Sequence, residues 1–285
     1  MNILITGCNG QLGNEMQVLQ KDYPEHQWFN TDVNELDITD SDAINRFVEE
    51  HEIDGIVNCA AYTAVDKAES NKRLATALNT EAPTYLAVAI AKRDGWMVQI
   101  STDYVFDGTQ HTPYTETDTP CPNSVYGATK LAGEVAVAKT CPKHVIIRTA
   151  WLYSTFGNNF VKTMLRLGQE KQQLGVIFDQ IGTPTYAHDL ALAIMTIIDK
   201  GIVPGIYHFS NEGVTSWYDF TKAIHALLAS PLATSSHCTP LNIPRQLTDQ
   251  LTACWTRQKS RKPSASKSLI GKRASRSACI RNNDL

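Results

Sequence analysis

The sequence places a tyrosine and a lysine one helical turn apart, at Tyr126 and Lys130. Residues four positions apart in a helix lie on the same face, so these two polar side chains share one surface. A free phenol titrates near pH ~10 and works as an acid–base group at neutral pH only when its surroundings stabilise the anion. A lysine ammonium one turn away predicts that stabilisation. The pair therefore indicates proton transfer to or from a substrate oxygen.

A second candidate hydroxyl belongs to Thr102, in the run Ser101, Thr102 and Asp103 that follows an apolar segment. The apolar segment predicts a buried strand over 97–101, and in open α/β sheets ligands bind outside the carboxyl ends of the strands. A Tyr-x-x-x-Lys pair by itself arises often by chance on exposed helices. In this setting we predict that Thr102 presents its hydroxyl to the same substrate oxygen that Tyr126 protonates.

Three glycines, Gly7, Gly10 and Gly13, follow the first predicted strand and open a helix. Such glycines let the backbone turn sharply and approach a pyrophosphate, which rests on the helix N-terminus. The alternative is a glycine-rich turn needed only for packing. Asp32 ends the second predicted strand, where an acid holds the adenosine ribose of a dinucleotide, and the alternative is a solvated acid in a turn. No Arg or Lys lies near Asp32 to receive a 2′-phosphate, which favours NADH over NADPH.

Short apolar runs alternate with amphipathic stretches through the first 210 residues, a pattern typical of βαβ units. The pattern predicts an α/β fold with a doubly wound parallel sheet of the Rossmann type and a small C-terminal substrate lobe. We expect a dinucleotide-binding domain over 1–150 with contributions from 187–210, substrate-binding segments over 151–240, and a poorly ordered basic tail over 241–285. The strands are predicted at 2–6, 27–31, 55–59, 97–101, 144–150 and 205–209. The helices are predicted at 11–20, 41–50, 72–92, 126–138, 159–171, 187–200 and 216–228.

Composition narrows the class of protein. The chain has 285 residues, 42% of them hydrophobic, which is enough for a substantial core. The formal net charge of −3 gives no overall attraction to nucleic acid or anionic lipid, so neither is an expected partner. The seven cysteines show no Cys-x-x-Cys spacing, and neither a signal peptide nor a run of apolar residues long enough for a membrane span is present. We expect a cytoplasmic protein.

The motifs together resemble the extended short-chain dehydrogenase/reductase superfamily and, within it, the dTDP-4-dehydrorhamnose reductase family. The resemblance runs from residue 1 to about residue 225. It is carried by Gly10-Gln-Leu-Gly13, Asn58-Cys-Ala-Ala-Tyr-Thr-Ala-Val-Asp-Lys-Ala-Glu69, Ser101-Thr-Asp-Tyr-Val-Phe-Asp-Gly108, Tyr126-Gly-Ala-Thr-Lys130 and Arg148-Thr-Ala-Trp-Leu-Tyr153.

That resemblance implies reduction of the C4 carbonyl of dTDP-4-dehydro-6-deoxy-L-mannose by NAD(P)H, with Tyr126 as the proton donor and Lys130 as its partner, which also touches the cofactor. Trp151 has the alternative reading of a core or interface aromatic. The residues implied to line the cofactor are Gly10, Gln11, Leu12, Asp37, Ile38, Ala61, Tyr62 and Thr63. Those implied to contact the dTDP-sugar substrate are Thr102, Asp103, Trp151 and Asn159.

Other activities of the same fold stay open at this point. The sugar-nucleotide 4,6-dehydratases carry an acid after Thr-Asp, whereas this chain has Tyr104, so carbonyl reduction is favoured over elimination. Other reductases or epimerases, and a non-catalytic regulatory subunit, remain alternatives, although the intact Tyr126, Lys130 and Thr102 argue against the last. Some members of the family bind Mg²⁺ at a homodimer contact through a Glu on the first helix, which makes Glu15 the candidate ligand.

The end of the chain departs from the family. Residues 245–285 contain ten Lys or Arg and two acids, in place of the expected Arg-Pro and Ser-x-Leu-Asp stretch. A solvated divergent tail and a nucleic-acid-binding extension are two explanations. A third is that codons for a family-like ending, read one base later, encode Ala-Cys-Trp-Thr-Arg-Gln-Lys, as found at 253–259. We therefore hypothesise a frameshifted tail, which a family-like ending in the neighbouring reading frame of the DNA would support.

Overall fold

A computed structural model describes residues 1–227 and the backbone of residues 234–238. Within these ranges the strands are β1 (Asn2–Thr6), β2 (Gln27–Thr31), β3 (Gly55–Asn58), β4 (Trp96–Thr102), β5 (His144–Thr149), β6 (Leu152–Tyr153), β7 (Gln173–Ile177), β8 (Ile181–Gly182), β9 (Thr185–Tyr186), β10 (Gly205–His208), β11 (Thr215–Ser216) and β12 (Thr234–Cys238). The basic tail, and with it the frameshift hypothesis, lies outside the described residues.

The helices connect these strands and cover them. They are α1 (Gln11–Gln20), α2 (Ser41–Glu50), α3 (Val65–Ala68), α4 (Lys72–Thr76), α5 (Ala82–Lys92), α6 (Val125–Thr140), α7 (Phe160–Glu170), α8 (Ala187–Lys200) and α9 (Trp217–Leu227). A π-helical segment, Ala77–Glu81, joins α4 to α5, and a 3₁₀ turn, Asp103–Val105, follows β4. The long helix predicted over 72–92 is therefore interrupted by a wider turn.

Six parallel strands form the central sheet in the order β10-β5-β4-β3-β1-β2. Strand β1 shows why the sheet is covered on both faces: Ile3 and Ile5 pack into one core cluster with α1 and α8, and Leu4 packs into another with α2 and α5. Successive side chains of a strand point to opposite faces, so three consecutive apolar residues require helices on both sides. The predicted doubly wound parallel sheet is confirmed.

The order in which strands are added to the sheet reverses at β1, because β2 lies on one side of β1 and β3 lies on the other. The loops after β1 and β3 therefore run to opposite faces of the sheet, towards α1 and α5, and leave a crevice between them, which is the usual ligand site of such folds. Gly7 begins the first loop at φ +66°, and a Cβ on it would lie 2.7 Å from the backbone of Ala60. The crevice thus needs glycine at this position.

A smaller group of elements follows β5. Residues of β6, β7, α7, α9 and the Tyr186 end of β9 share a separate core cluster, which includes Tyr153, Val161, Tyr186 and Phe220. The backbone of β12 pairs in parallel with β7. This arrangement fits the predicted substrate segments, although the exact division at residue 150 stays a prediction.

None of the helices in the described part of the chain combines the length and the hydrophobicity needed to cross a membrane.

Candidate active site

A cavity of about 750 Å³ opens at the carboxyl ends of β1 to β5. It brings together residues that the sequence places more than a hundred positions apart. The predicted residues that line it are Gly7, Gly10, Gln11, Leu12, Asp32, Asp37, Ile38, Ala61, Thr63, Thr102, Asp103, Tyr126, Lys130, Trp151 and Asn159. Fifteen expected site residues therefore share one cavity.

Three expected residues do not line this cavity. Gly13 packs beneath the glycine loop, where a Cβ would lie 2.4 Å from the carbonyl oxygen of Gly7, so its place is set by helix–loop packing. Tyr62 packs into a small cluster with Ala68, Ala75 and Tyr126 instead of facing the cavity. Glu15 is fully buried on the inner side of α1.

The catalytic candidates lie at the inner wall of the cavity. Tyr126 is in the first turn of α6, whose N-cap Ser124 accepts a hydrogen bond from the backbone N–H of Gly127. Lys130, one turn later, donates from Nζ to the carbonyl oxygen of Ile100 at 2.7 Å. Thr102 ends β4 and donates from Oγ1 to Asp103 at 2.9 Å. The parallel strand β4 and the helix α6 thus present both hydroxyls to the same space.

Burial, rather than the lysine charge, dominates the titration of Tyr126. Burial raises the pKa of Tyr126 to about 12, while a hydrogen bond with Thr102 lowers it and the Asp103 carboxylate raises it. Lys130, whose ammonium donates to Ile100, is not among these causes. The activation of the phenol by its lysine neighbour stays a prediction. A phenol with this pKa is protonated at neutral pH.

Burial also shifts the two neighbouring ionisable groups towards neutrality. It lowers the pKa of Lys130 to about 8, although the Glu134 carboxylate opposes the shift. It raises the pKa of Asp103 to about 7, against hydrogen bonds from Thr102 and from backbone N–H groups. Burial disfavours the charged form of any side chain, so acids and bases both move towards neutral pH. Groups that titrate near neutral pH in a cleft are typical of catalytic sites.

An ion pair supports the catalytic helix from behind. Arg148 donates from Nε and Nη2 to both carboxylate oxygens of Glu134 at 2.7–3.1 Å, and both side chains are 2% exposed. The guanidinium also lies over the ring of Phe106, 5.1 Å from its centroid. Glu134 follows Lys130 by one turn of α6, and Arg148 belongs to β5. The pair therefore fixes α6 to the sheet directly below the candidate lysine.

The π-helical segment holds the loop after β3 against the catalytic helix. Asn79 accepts from the backbone N–H of Tyr62 at 2.9 Å and donates to its carbonyl oxygen at 3.1 Å. It also donates to the Thr129 hydroxyl on α6 at 3.2 Å, and Thr80 donates to the Thr129 carbonyl oxygen. Single π-helical turns within longer helices occur frequently at functional sites. Within this wider turn, the Asn79 amide bonds three groups at once: the backbone N–H and the carbonyl oxygen of Tyr62, and the Thr129 hydroxyl.

Trp151 forms part of an aromatic stack at the other end of the cavity. Its ring lies 3.5 Å from that of Trp217 at an interplanar angle of 11°, and Phe160 contacts Trp217 in turn. The backbone of Trp151 has φ +48°, a region that non-glycine residues seldom adopt. A Cβ on Gly182 would lie 2.5 Å from the Trp151 indole. The stack and the glycine together hold the indole at the cavity wall.

The opposite end of the cavity has the features of a dinucleotide site. The N-terminus of α1 has no side-chain cap, so its first N–H groups are available to a phosphate. Asp32 accepts from the backbone N–H of Asn9 at 3.1 Å, and Glu35 accepts from the backbone N–H of Asp32 at 2.9 Å. Ser101 has a buried hydroxyl without a hydrogen-bond partner in the described part of the chain. An orphaned polar atom in a cavity wall fits a site that is completed by a ligand.

The geometry does not support Glu15 as a metal ligand. One carboxylate oxygen accepts from the Ser154 hydroxyl at 2.6 Å, and the other lies 3.0 Å from Nδ1 of His188. A fully buried carboxylate with both oxygens engaged is not placed for a surface contact between subunits. Among the described residues, one group of side chains could offer three metal ligands to a single ion, and none of its members lines the cavity: Glu25, His26 and Asp199.

Comparison with known proteins decides the family. Residues 1–262 match the model of the RmlD substrate binding domain. The chain belongs to this family. A dTDP-4-dehydrorhamnose reductase of Aggregatibacter actinomycetemcomitans is 43% identical over 227 residues, 78% of this chain and 77% of that protein. One from Escherichia coli K12 is 42% identical over 232 residues, 79% of this chain and 77% of that protein.

Solved structures of family members have the same architecture. A dTDP-4-dehydrorhamnose reductase from Clostridium acetobutylicum is 40% identical with a TM-score of 0.95, covering 99% of this chain and 100% of its own. One from Bacillus anthracis, in complex with NADP, is 35% identical with a TM-score of 0.93, covering 98% of this chain and 99% of its own. At least one member of the family therefore binds a nicotinamide cofactor.

Some residues of the site have no signal in the sequence. Val33, Leu78 and Leu152 line the cavity as apolar wall, and sequence alone does not distinguish them from core residues. Asn79 lies inside a helical pattern and has no motif around it. Ser101 precedes Thr102 at the end of the same strand, and this position alone predicts that its side chain can reach the cavity.

Proposed function

We propose that this protein reduces the C4 carbonyl of dTDP-4-dehydro-6-deoxy-L-mannose (dTDP-4-dehydrorhamnose) to give dTDP-L-rhamnose. The named activity of its relatives, which are 40–43% identical over most of the chain, supports the substrate class. The observation that carries the proposal is the convergence of Tyr126, Thr102 and Lys130 at the inner wall of the one cavity that also contains the glycine loop.

In this proposal each residue has one task. When bound, the reduced nicotinamide supplies the hydride. Tyr126 donates its phenolic proton to the C4 oxygen, and its high pKa keeps that proton in place at neutral pH until negative charge develops on the oxygen. Thr102 steadies the same oxygen through its hydroxyl. Lys130, held at Ile100, offers its remaining N–H groups to the cofactor ribose.

The sugar nucleotide occupies the end of the cavity walled by Trp151. The indole, which is held in place by its stack on Trp217, offers a flat apolar face to the sugar. The sequence predicts that Asn159 contacts the substrate directly, but its side-chain amide is already engaged by protein groups. Its amide caps α7 by accepting from the Lys162 backbone N–H and donates to Gln11 and Ser154, so we propose that it shapes the wall.

We further propose that NADH is preferred over NADPH. Asp32 and Glu35 stand together at the end of β2, linked through the Asp32 backbone N–H. A ribose hydroxyl can donate to Asp32, whereas a 2′-phosphate would meet its carboxylate with Glu35 close behind. Among the described residues that line the cavity, the one Lys or Arg is Lys130, which lies at the Tyr126 end.

The direct test is oxidation of NADH and NADPH with a panel of nucleotide-linked 4-keto sugars, with the product identified by NMR. We expect turnover with dTDP-4-dehydrorhamnose and retention of the 6-deoxy group. Formation of a C4 epimer from an already reduced sugar would indicate an epimerase instead. Absence of turnover with every ketone, together with intact NADH binding, would favour a regulatory subunit and overturn the proposal.

A further inference from the structure

Glu15 combines complete burial with a carboxylate. Its side chain is 0% exposed, and its partners are a serine hydroxyl and a histidine ring. Burial of a carboxylate is costly unless its oxygens are hydrogen-bonded, so the two partners offset the cost of burying Glu15. The partners come from different parts of the chain: Ser154 follows β6, and His188 lies in the first turn of α8.

Ser154 passes this attachment on to the segment that follows it. Its hydroxyl donates to Glu15 and accepts from the Phe156 backbone N–H at 3.0 Å. Its carbonyl oxygen accepts from the Asn159 amide at 2.7 Å, and the same amide donates to Gln11 at 3.1 Å. We define residues 154–159 as the anchored loop. Gln11 and Glu15 are one turn apart on α1, so this helix holds the loop at both of its ends.

The anchored loop forms cavity wall between the two proposed ligands. Gly157, Asn158 and Asn159 line the cavity, as do Gln11 on the cofactor side and Trp151 on the sugar side. A Cβ on Gly157 would lie 3.1 Å from the Gln11 side chain, so loop and helix are in close contact. A displacement of the loop by a fraction of an ångström would therefore change the space available to the sugar nucleotide.

We infer that Glu15 is a positioning residue for the sugar-nucleotide site, which it serves by fixing the anchored loop to the cofactor-binding helix through Ser154. The inference rests on the proposed function, because it needs the sugar nucleotide to occupy the cavity beside the loop. Glu15 does not line the cavity. His188 satisfies the second oxygen of Glu15, and among the described residues it has no hydrogen bond to the anchored loop, so it stabilises the carboxylate but does not transmit its position.

This division of roles makes the two partners of Glu15 distinguishable. Glu15→Ala and Ser154→Ala each remove one of the two attachments of the loop to α1, and leave the one between Asn159 and Gln11 in place. We expect either variant to raise the KM for the sugar nucleotide about tenfold, the size of one well-formed hydrogen bond to a charged group, with kcat within about twofold of wild type. The double variant should show no more than the larger single effect, because both changes remove the same link.

Two further variants separate positioning from general packing. Glu15→Gln keeps an oxygen that can accept from Ser154 and should restore the wild-type KM. His188→Leu should lower the melting temperature as much as Glu15→Ala does, with the KM for the sugar nucleotide unchanged. If Glu15→Ala does not yield folded protein, Ser154→Ala carries the test, since it removes only a hydroxyl.

The experiment is steady-state kinetics of the full chain with NADH and dTDP-4-dehydrorhamnose, accompanied by thermal unfolding of each variant. Absence of turnover by the wild type would refute the proposed function itself. Given wild-type turnover, an unchanged KM in Glu15→Ala and Ser154→Ala would overturn the inference. An equal rise of KM in His188→Leu would overturn it as well, because the effect would then follow stability alone.

Discussion

Replacement of Glu134 by glutamine tests how the buried ion pair supports the catalytic helix. The variant keeps the shape of the side chain and one acceptor oxygen but leaves the Arg148 guanidinium without a counter-charge, at 2% exposure. Removal of one partner of such a pair costs about 3–5 kcal/mol, because the other charge stays buried. For a domain of this size that loss corresponds to a melting temperature lower by roughly 6–15 °C.

An exposed pair in the same chain is the matched control. Arg166 and Glu170 are also joined at 2.7 Å, but their side chains are 60% and 48% exposed. Glu170→Gln should cost about 0.3–0.5 kcal/mol, because solvent screens a surface pair within a helix. Urea unfolding of both variants measures the difference. A second replacement, Arg148→Met in the Glu134→Gln background, should recover part of the loss, since it removes the uncompensated charge.

The Glu134→Gln variant has a second readout, the pH dependence of kcat/KM. The Glu134 carboxylate raises the pKa of Lys130, against the burial that lowers it to about 8. Lysine is charged below its pKa, so kcat/KM of the wild type should fall as the pH rises through about 8. In Glu134→Gln this fall should begin at lower pH. An equal cost of unfolding in Glu134→Gln and Glu170→Gln, or an unmoved pH profile, would refute the reasoning.

Three further changes probe the rest of the cavity. Asp32→Ala should lower the ratio of the KM for NADPH to the KM for NADH by about tenfold or more, because the substitution removes one of two carboxylates near the ribose. Steady-state kinetics measures this ratio, and an unchanged ratio would contradict the NADH preference. Gly182→Ala should push the Trp151 indole from the wall, with a higher KM for the sugar nucleotide and about 1–3 kcal/mol lost on unfolding; wild-type values for both would show that the ring adapts. Asp103→Asn should stabilise the fold at pH 8 by on the order of 2–4 kcal/mol and give no gain at pH 3. Burial raises the pKa of Asp103 from 3.8 to about 7, so the unfolded state ionises first and the folded state is increasingly disfavoured as the pH rises between these two values. Urea unfolding at pH 3 and pH 8 checks the sign, and a loss of stability at pH 8 would contradict it.

The sheet and its helices could be predicted from local patterns because both periodicities are present in the sequence. Asp40 illustrates such a local rule: an Asp directly before the predicted helix over 41–50 is a favourable N-cap, and its side chain accepts from the backbone N–H groups of Asp42 and Ala43. The glycine loop and the Tyr126–Lys130 pair are also local, since their spacing fixes their relation along one helix or turn. These features carried most of the candidate site.

The features that local patterns could not predict share one physical origin. The pKa of Tyr126 depends on how completely α6 is buried, and spacing along the chain contains no measure of desolvation. Glu15 occupies a polar position in a helical pattern, and its partners are 139 and 173 residues away. Asn79 lies in a π-helical turn and bonds Tyr62 and Thr129, which are 17 and 50 residues away. Each of these properties arises from packing between distant segments, for which a single sequence has no signal.

The central claim is that the Tyr126 hydroxyl protonates the C4 oxygen of the sugar, and Tyr126→Phe tests it most directly. The ring and its contacts remain, so NADH binding, followed by fluorescence, should be unchanged. We predict that kcat for dTDP-4-dehydrorhamnose falls at least about 100-fold, the usual contribution of a positioned acid. Tyr114→Phe, which removes another buried tyrosine hydroxyl outside the cavity, is the control and should retain activity. A Tyr126→Phe variant that reduces the ketone at the wild-type rate would contradict the account.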